Sequence, residues 1–230
     1  MSKSDPKRAD LHLKIGTALL RQGQYPAALS ELLTAEKLDS SNPVIQNNLG
    51  LAYLVRGRLE QAEDHIRRAL KLTDKYTDAR NNLGRVLIEQ KKYAEAIKEL
   101  RIASQDLTYP EPQRPLTNLG EALFLSKKFP EAKKSLYEAL KYQRNDCVSM
   151  ALYGRTLYQL KEYQVASESL DEAIRNCQNE NKEEPYYFSA LSYLKLGQTN
   201  QAYSRLKECI EAFPRGNYTA KAQTLMKEIE

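Results

Sequence analysis

Residues 43–76, PVIQNNLGLAYLVRGRLEQAEDHIRRALKLTDKY, and residues 77–110, TDARNNLGRVLIEQKKYAEAIKELRIASQDLTYP, lie on one another without a gap. Gly50 falls on Gly84, Ala62 on Ala96 and Ala69 on Ala103. The same ladder runs outward in both directions. Gly16, Gly50 and Gly84 are 34 residues apart, Gly120 follows after 36 and Gly154 after another 34. A second ladder holds Ala28, Ala62, Ala96, Ala132, Ala166 and Ala202, and a third Ala35, Ala69, Ala103, Ala139, Ala173 and Cys209. Antiparallel helices pack about 8–10 Å apart, and only small side chains fit where they touch. A mid-helix glycine costs up to about 1 kcal/mol against alanine, so five at one period need a packing reason.

A period of about 34 residues with two helices per unit is that of the tetratricopeptide repeat. The units run 9–42, 43–76, 77–110, 113–146, 147–180 and 183–216, with Glu111–Pro112 and Asn181–Lys182 inserted before the fourth and sixth. The turn between helices is marked by Gly23, Gly57 and Gly197, with Lys91, Lys127 and Lys161 at the equivalent places. Glycine there can take positive φ and end the first helix. Tyr25, Tyr93, Phe129 and Tyr163 follow two residues later, placed to pack across the turn. Pro43, Pro110, Pro185 and Pro214 break the chain at repeat ends. The expected fold is all-α: a right-handed α-solenoid of six repeats, after a polar tail over 1–8. Residues 217–230 form a capping helix whose Ala222, Leu225, Met226 and Ile229 cover the last apolar face.

Composition narrows the function. The 230 residues carry 35 basic and 30 acidic side chains, interspersed, for a net charge of +5. No basic block alternates with aromatic residues, which argues against a nucleic-acid partner. No run of about 18 apolar residues is long enough to span a membrane, and MSKSDPKRAD lacks the apolar core of a signal peptide. His12 and His65 have no neighbouring cysteine or carboxylate at metal-ligand spacing. No nucleophile motif, phosphate loop or acid–base pair stands out, so neither catalysis, a metal nor a cofactor is expected. Cys209 reads as a buried small side chain on the third ladder. Cys147 opens the first helix of the fifth repeat and Cys177 follows its second helix, which puts the two within disulfide reach if the Cα atoms lie about 4.4–6.8 Å apart. Two free thiols is the competing reading.

The expected function is to hold another protein in a groove lined by the first helix of each pair. Leu13 and Leu20, then Asn47, Leu51 and Leu54, then Asn81, Arg85 and Ile88 are expected to point inward in the first three repeats. Thr17 and, in later repeats, Thr117, Glu121 and Ala151 share these positions. Phe124, Arg155, Tyr158, Tyr187, Leu191 and Leu194 continue the series. Leu20, Leu54, Ile88, Phe124, Tyr158 and Leu194 make one apolar stripe, the sort of surface that marks a partner site. Asn47, Asn48, Asn81 and Asn82, with Arg80 and Arg85 but no inner lysine, fit poorly with a clamp for a peptide's C-terminal carboxylate.

The whole chain also resembles the type IV pilus pilotins, the PilW/PilF-type tetratricopeptide lipoproteins, and the related Tgl branch. ADLHLKIGTALLRQGQYPAALSEL is similar to that family's first repeat, NNLGRVLIEQKKYAEAI to its third, and ASQDLTYPEPQRPLTNLGEALF carries a comparable Tyr-Pro-x-Pro insertion. A Cys147–Cys177 pair looks more like Tgl. The resemblance implies a lipoprotein on the periplasmic face of the outer membrane, its lipid-bearing cysteine ahead of Ser2, which helps the pilus secretin assemble. Its partner would be a secretin subunit, met by a monomer whose only membrane contact is that lipid. A cytosolic co-chaperone or peptide-binding adaptor is the alternative.

Overall fold

In the computed structural model, residues 5–177 and 183–229 are described. They form thirteen α-helices and no strand. In chain order these are α1 (Pro6–Arg21), α2 (Tyr25–Leu38), α3 (Pro43–Val55), α4 (Leu59–Leu72), α5 (Thr77–Glu89), α6 (Tyr93–Ser104), α7 (Gln113–Leu125), α8 (Phe129–Tyr142), α9 (Cys147–Gln159), α10 (Tyr163–Asn176), α11 (Glu184–Lys195), α12 (Thr199–Ala212) and α13 (Thr219–Ile229). The chain divides into two compact units, residues 1–110 and 111–230. The first contains the helix pairs of repeats one to three. The second contains those of repeats four to six and α13. The Asn181–Lys182 insertion lies outside the described residues.

Helix ends follow the sequence signals. Asp5, Asn42 and Asp146 accept backbone N–H bonds from Arg8, Val44 and Ser149 at the starts of α1, α3 and α9. Asp5 and Pro6 start α1 three residues inside the expected polar tail, because a capping carboxylate followed by proline suits a helix's first position. All six interhelical turns use one left-handed residue: Gly23, Gly57 and Gly197 at φ 72, 69 and 72°, and Lys91, Lys127 and Lys161 at 61, 59 and 64°. The lysines adopt the conformation although a side chain disfavours it by about 1–2 kcal/mol.

The ladders mark the contact inside each pair. Every alanine of both alanine ladders, and Cys209, is 0–1% exposed. The glycines admit a branched side chain from the opposite helix: a Cβ on Gly16, Gly50, Gly84, Gly120 or Gly154 would lie 2.3–2.7 Å from Leu32, Ile66, Leu100, Leu136 or Leu170. In the sixth repeat Ala190 stands at this position and is fully buried with Leu206. α13 closes the second unit: Ala222 is buried with Ala190, Leu206 and Cys209, and Leu225, Met226 and Ile229 pack around them. Burial pushes the Cys209 thiol up to about 11, so this lone thiol is an inert core group. Glu183 accepts the N–H groups of Asn217 and Tyr218 and so ties the start of the last repeat to the approach to α13.

The two histidines are structural. His12 Nδ1 lies 2.6 Å from Glu31 across the first pair. His65 Nδ1 lies 2.8 Å from Gln46, and its ring stacks on Tyr53 at 5.3 Å. Burial holds the His65 pKa below 6.5, with Glu36 opposing and Arg68 adding to the effect, and Asp64 opposing.

Two outcomes test this packing. Ala96→Leu forces a branched side chain into a fully buried contact and is expected to cost roughly 1–3 kcal/mol in urea unfolding; unchanged unfolding would contradict the helix register. Below pH about 6.5 the unfolded chain protonates His65 more readily than the folded chain does. Stability is therefore complete above that pH and declines as pH falls through the window below it. The urea midpoint should drop between pH 7.5 and 5.5 by less in His65→Gln than in the wild type, both values being taken on either side of ~6.5.

Candidate functional site

The first helix of each pair carries the side chains expected to face a partner, and the two units use that face differently. In the first unit it is filled by a hydrogen-bond chain. Thr17 donates to the Leu13 carbonyl (2.7 Å), Asn48 Nδ2 to Thr17 (2.8 Å), Asn47 Nδ2 to Asn48 (3.4 Å) and Asn82 Nδ2 to Asn47 (3.0 Å). The Tyr76 side chain also bonds Asn47, and burial, with the Asp78 charge, pushes its hydroxyl up to about 12. Asn82 Oδ1 is buried and finds no donor among the described residues.

This corrects the expected stripe in the first unit. Leu13, Asn47, Leu54, Asn81 and Ile88 are buried, between 1% and 9% exposed. The physical reason is that the first helices touch one another, α1 with α3 and α3 with α5, so their inner positions serve the stack before they serve a partner. Leu20 packs on the core of the first pair. Leu51 and Arg85 remain half-buried. Arg80 points elsewhere: it bonds Glu99 on α6 (2.7 Å) and Asp74 (2.5 Å).

In the second unit the same face is aromatic. The Arg155 guanidinium lies between the rings of Phe124 and Phe188, 4.8 and 5.1 Å from their centroids. Its Nη1 donates to Glu184 Oε2 (2.9 Å), whose other oxygen accepts from the Tyr218 hydroxyl (3.1 Å). Arg155 Nε is buried and finds no acceptor among the described residues. Tyr158 meets Phe188 at 5.7 Å and Tyr163 at 5.6 Å, and Tyr187 meets Tyr218 at 4.9 Å. Phe124 meets Phe129 across the turn at 5.5 Å. Burial, with the Glu184 charge, pushes the Tyr218 hydroxyl up to about 12, which keeps it a proton donor to Glu184. Each arginine–ring contact contributes about 0.5–2 kcal/mol depending on desolvation. Phe124, Arg155, Tyr158 and Tyr187 thus come together with half-buried Leu191 and Leu194 on the same helix as Tyr187. Thr117 and Ser149 hydroxyls, 2.6 Å apart, link α7 to α9 beneath them.

Phe188, Glu184 and Tyr218 belong to this cluster and escaped the sequence reading. Phe188 occupies the repeat position held by Asn48, Asn82 and Asn118, then Leu152. The change from amide to ring along that column was the available signal. Glu184 stands in a column that also holds Val44, Asp78, Arg114 and Val148, whose mixed chemistry reveals no role, and Tyr218 lies beyond the last repeat. No group of three His, Cys, Asp or Glu that could hold a metal occurs among the described residues.

Profiles of the tetratricopeptide repeat match residues 3–43, 13–79, 47–106 and 82–146, and a second such profile matches 189–216. The chain belongs to the tetratricopeptide repeat family. It is also 30% identical, over 169 residues, to the type IV pilus assembly protein PilF of Pseudomonas aeruginosa, covering 74% of this chain and 67% of that one. That makes it a homologue of a type IV pilus tetratricopeptide protein. A solved structure of Pseudomonas aeruginosa PilF superposes with a TM-score of 0.83 at 24% identity over 96% of this chain and 98% of the other. That of PilW, a widely conserved type IV pilus biogenesis factor, gives 0.84 at 19% identity over 95% and 98%. At those identities the two structures speak to the fold. No described helix is long and apolar enough to cross a membrane.

In the same unit, Cys147 and Cys177 are bonded, with Cα atoms 5.7 Å apart and a separation of 30 positions in sequence. Both are buried with Met150 and Ala173. Closing a loop of that length stabilises by about 3–4 kcal/mol in the chain-entropy account. The denatured, unreduced protein is expected to show one thiol with a thiol reagent, Cys209, and three after reduction. Cys147→Ser/Cys177→Ser should lower the unfolding free energy by about 2–4 kcal/mol. Three thiols before reduction would contradict the bond.

Proposed function

We propose that this protein is a pilotin: a non-enzymatic scaffold on the periplasmic face of the outer membrane that holds a subunit of the type IV pilus secretin while the ring assembles. The observation that carries this reading is the 30% identity to the pilus assembly protein PilF across 169 residues. The bonded Cys147–Cys177 pair supports it, since such bonds persist in oxidising compartments. Membrane attachment in this reading is a lipid on a cysteine ahead of Ser2, and the protein acts as a monomer.

The second unit supplies the anchor surface. Tyrosine and arginine carry a disproportionate share of interface energy, and Phe124, Arg155, Tyr158 and Tyr187 form one pre-ordered patch of such residues. Glu184 fixes the arginine, so a partner segment meets a surface whose side-chain entropy is already spent.

Pull-down of the pilus secretin by the lipid-free protein tests the reading, together with secretin multimers in a deletion strain. Capture and loss of multimers are expected; no capture with normal multimers overturns it. Phe124→Ala should weaken capture by about 2 kcal/mol or more, roughly thirtyfold, with the protein still folding cooperatively. Equal capture by Phe124→Ala would remove the second unit's aromatic patch from the interface.

A further inference from the structure

The repeats provide their own comparison for a cleft on the side of the second helices, away from the aromatic patch. In each of the first three pairs, the fourth residue of the unit faces a residue 19 further on. His12 meets Glu31 (2.6 Å), Gln46 meets His65 (2.8 Å) and Arg80 meets Glu99 (2.7 Å). In the third repeat, Arg80 also reaches back to Asp74, in the linker from the preceding repeat. The basic side chain there is answered within the chain.

The fifth repeat departs from this pattern. Met150 stands where Arg80 stands, Ser169 where Glu99 stands and Arg144 where Asp74 stands. The cation now sits in the linker, and nothing on the helices answers it: Arg144 is exposed, with no carboxylate at ion-pair distance among the described residues. The cleft it borders is lined by Tyr137, Leu140, Met150 and Tyr153, with Glu172 also on its rim. The two tyrosine rings are 6.2 Å apart, and Tyr137 is 52% exposed. Lys141 is already engaged, bonded to Glu138 at 2.8 Å and lying over the Tyr137 ring. Arg144 therefore carries the unanswered positive charge. Met150 and Leu140 pack on the Cys147–Cys177 bridge, so the base of the cleft is covalently braced.

We propose that this cleft is a second docking surface, which takes an extended acidic segment of a partner protein. One apolar or aromatic side chain of the segment seats on Met150 beside Tyr137 and Tyr153. A neighbouring carboxylate pairs with Arg144 and restores between molecules the ion pair that Arg80 and Asp74 make within the chain. Glu172 repels a carboxylate on its own side and so fixes the direction in which the segment lies. This surface is separate from the aromatic patch and does not depend on the partner proposed for it.

The chain has three methionines, which makes carbon-13 methyl-methionine spectroscopy of the full, oxidised protein a local readout. The probe is the peptide acetyl-Gly-Asp-Phe-Asp-Gly-amide, with a second peptide in which lysines replace the aspartates. The acidic peptide should shift the Met150 methyl resonance and leave Met226, in the cap cluster, unmoved. Arg144→Glu, an exposed substitution, should weaken that binding at least about tenfold, as loss and inversion of an interfacial charge does. The basic peptide should move Met150 less than the acidic one in the wild type. An unmoved Met150 at millimolar acidic peptide overturns the proposal. Undiminished binding to Arg144→Glu, or equal shifts at Met150 and Met226, does so too.

Discussion

Each of the first five helix pairs depends on one close approach. A glycine on the first helix leaves a space into which Leu32, Ile66, Leu100, Leu136 or Leu170 inserts from the second. A methyl group at the glycine would overlap that side chain, so the pair can close only with glycine there or with a local shift. The alanine ladders hold the same two helices together along the rest of the contact, which is why they show almost no exposure. Once the pairs are fixed, the remaining positions on each helix are free to differ from repeat to repeat. Those differences are where the two units acquire their separate character.

The first unit spends its inner positions on polar cross-links. The chain from Asn82 through Asn47 and Asn48 to Thr17 joins three consecutive first helices. Each member is buried or half-buried, so each amide must find a partner or bear a desolvation cost. The second unit joins its helices with charge instead. Asp171 on α10 accepts both forks of Arg205 at 2.9 Å, together with the Ser189 and Tyr193 hydroxyls. Burial opposes ionisation of Asp171, but those four bonds prevail and hold its carboxyl below the ordinary value. With its stack secured this way, the second unit can present rings and an arginine on its inner face.

The candidate site was legible to different depths in the two halves. Phe124, Arg155, Tyr158 and Tyr187 were placed together because column positions in a repeat predict which side chains share a face. Leu54 and Ile88 occupy the same column as Phe124 yet are nearly covered. The column states direction, while exposure depends on how closely the neighbouring helix lies. Phe188 was missed because its column is read as a consensus amide, and Glu184 because its role arises only through Arg155 and Tyr218. Cys147 and Cys177 could be brought near each other from the antiparallel pairing alone, but the sequence left bonded and free thiols equally open.

The period of small residues alone determined the helix count, the pairing of helices and the buried ladders. Such contacts repeat with the chain and need no knowledge of the neighbours. The left-handed turn position was equally local, and even lysine obeys it at residues 91, 127 and 161. Tertiary structure alone decided which inner side chains remain available, that Arg155 is clasped by two rings and a carboxylate, and that Arg144 is left without a counter-charge among the described residues. The clasp on Arg155 depends on side chains about 30 residues apart in sequence meeting across neighbouring repeats. A repeat pattern specifies where such residues stand, and only packing decides what they touch.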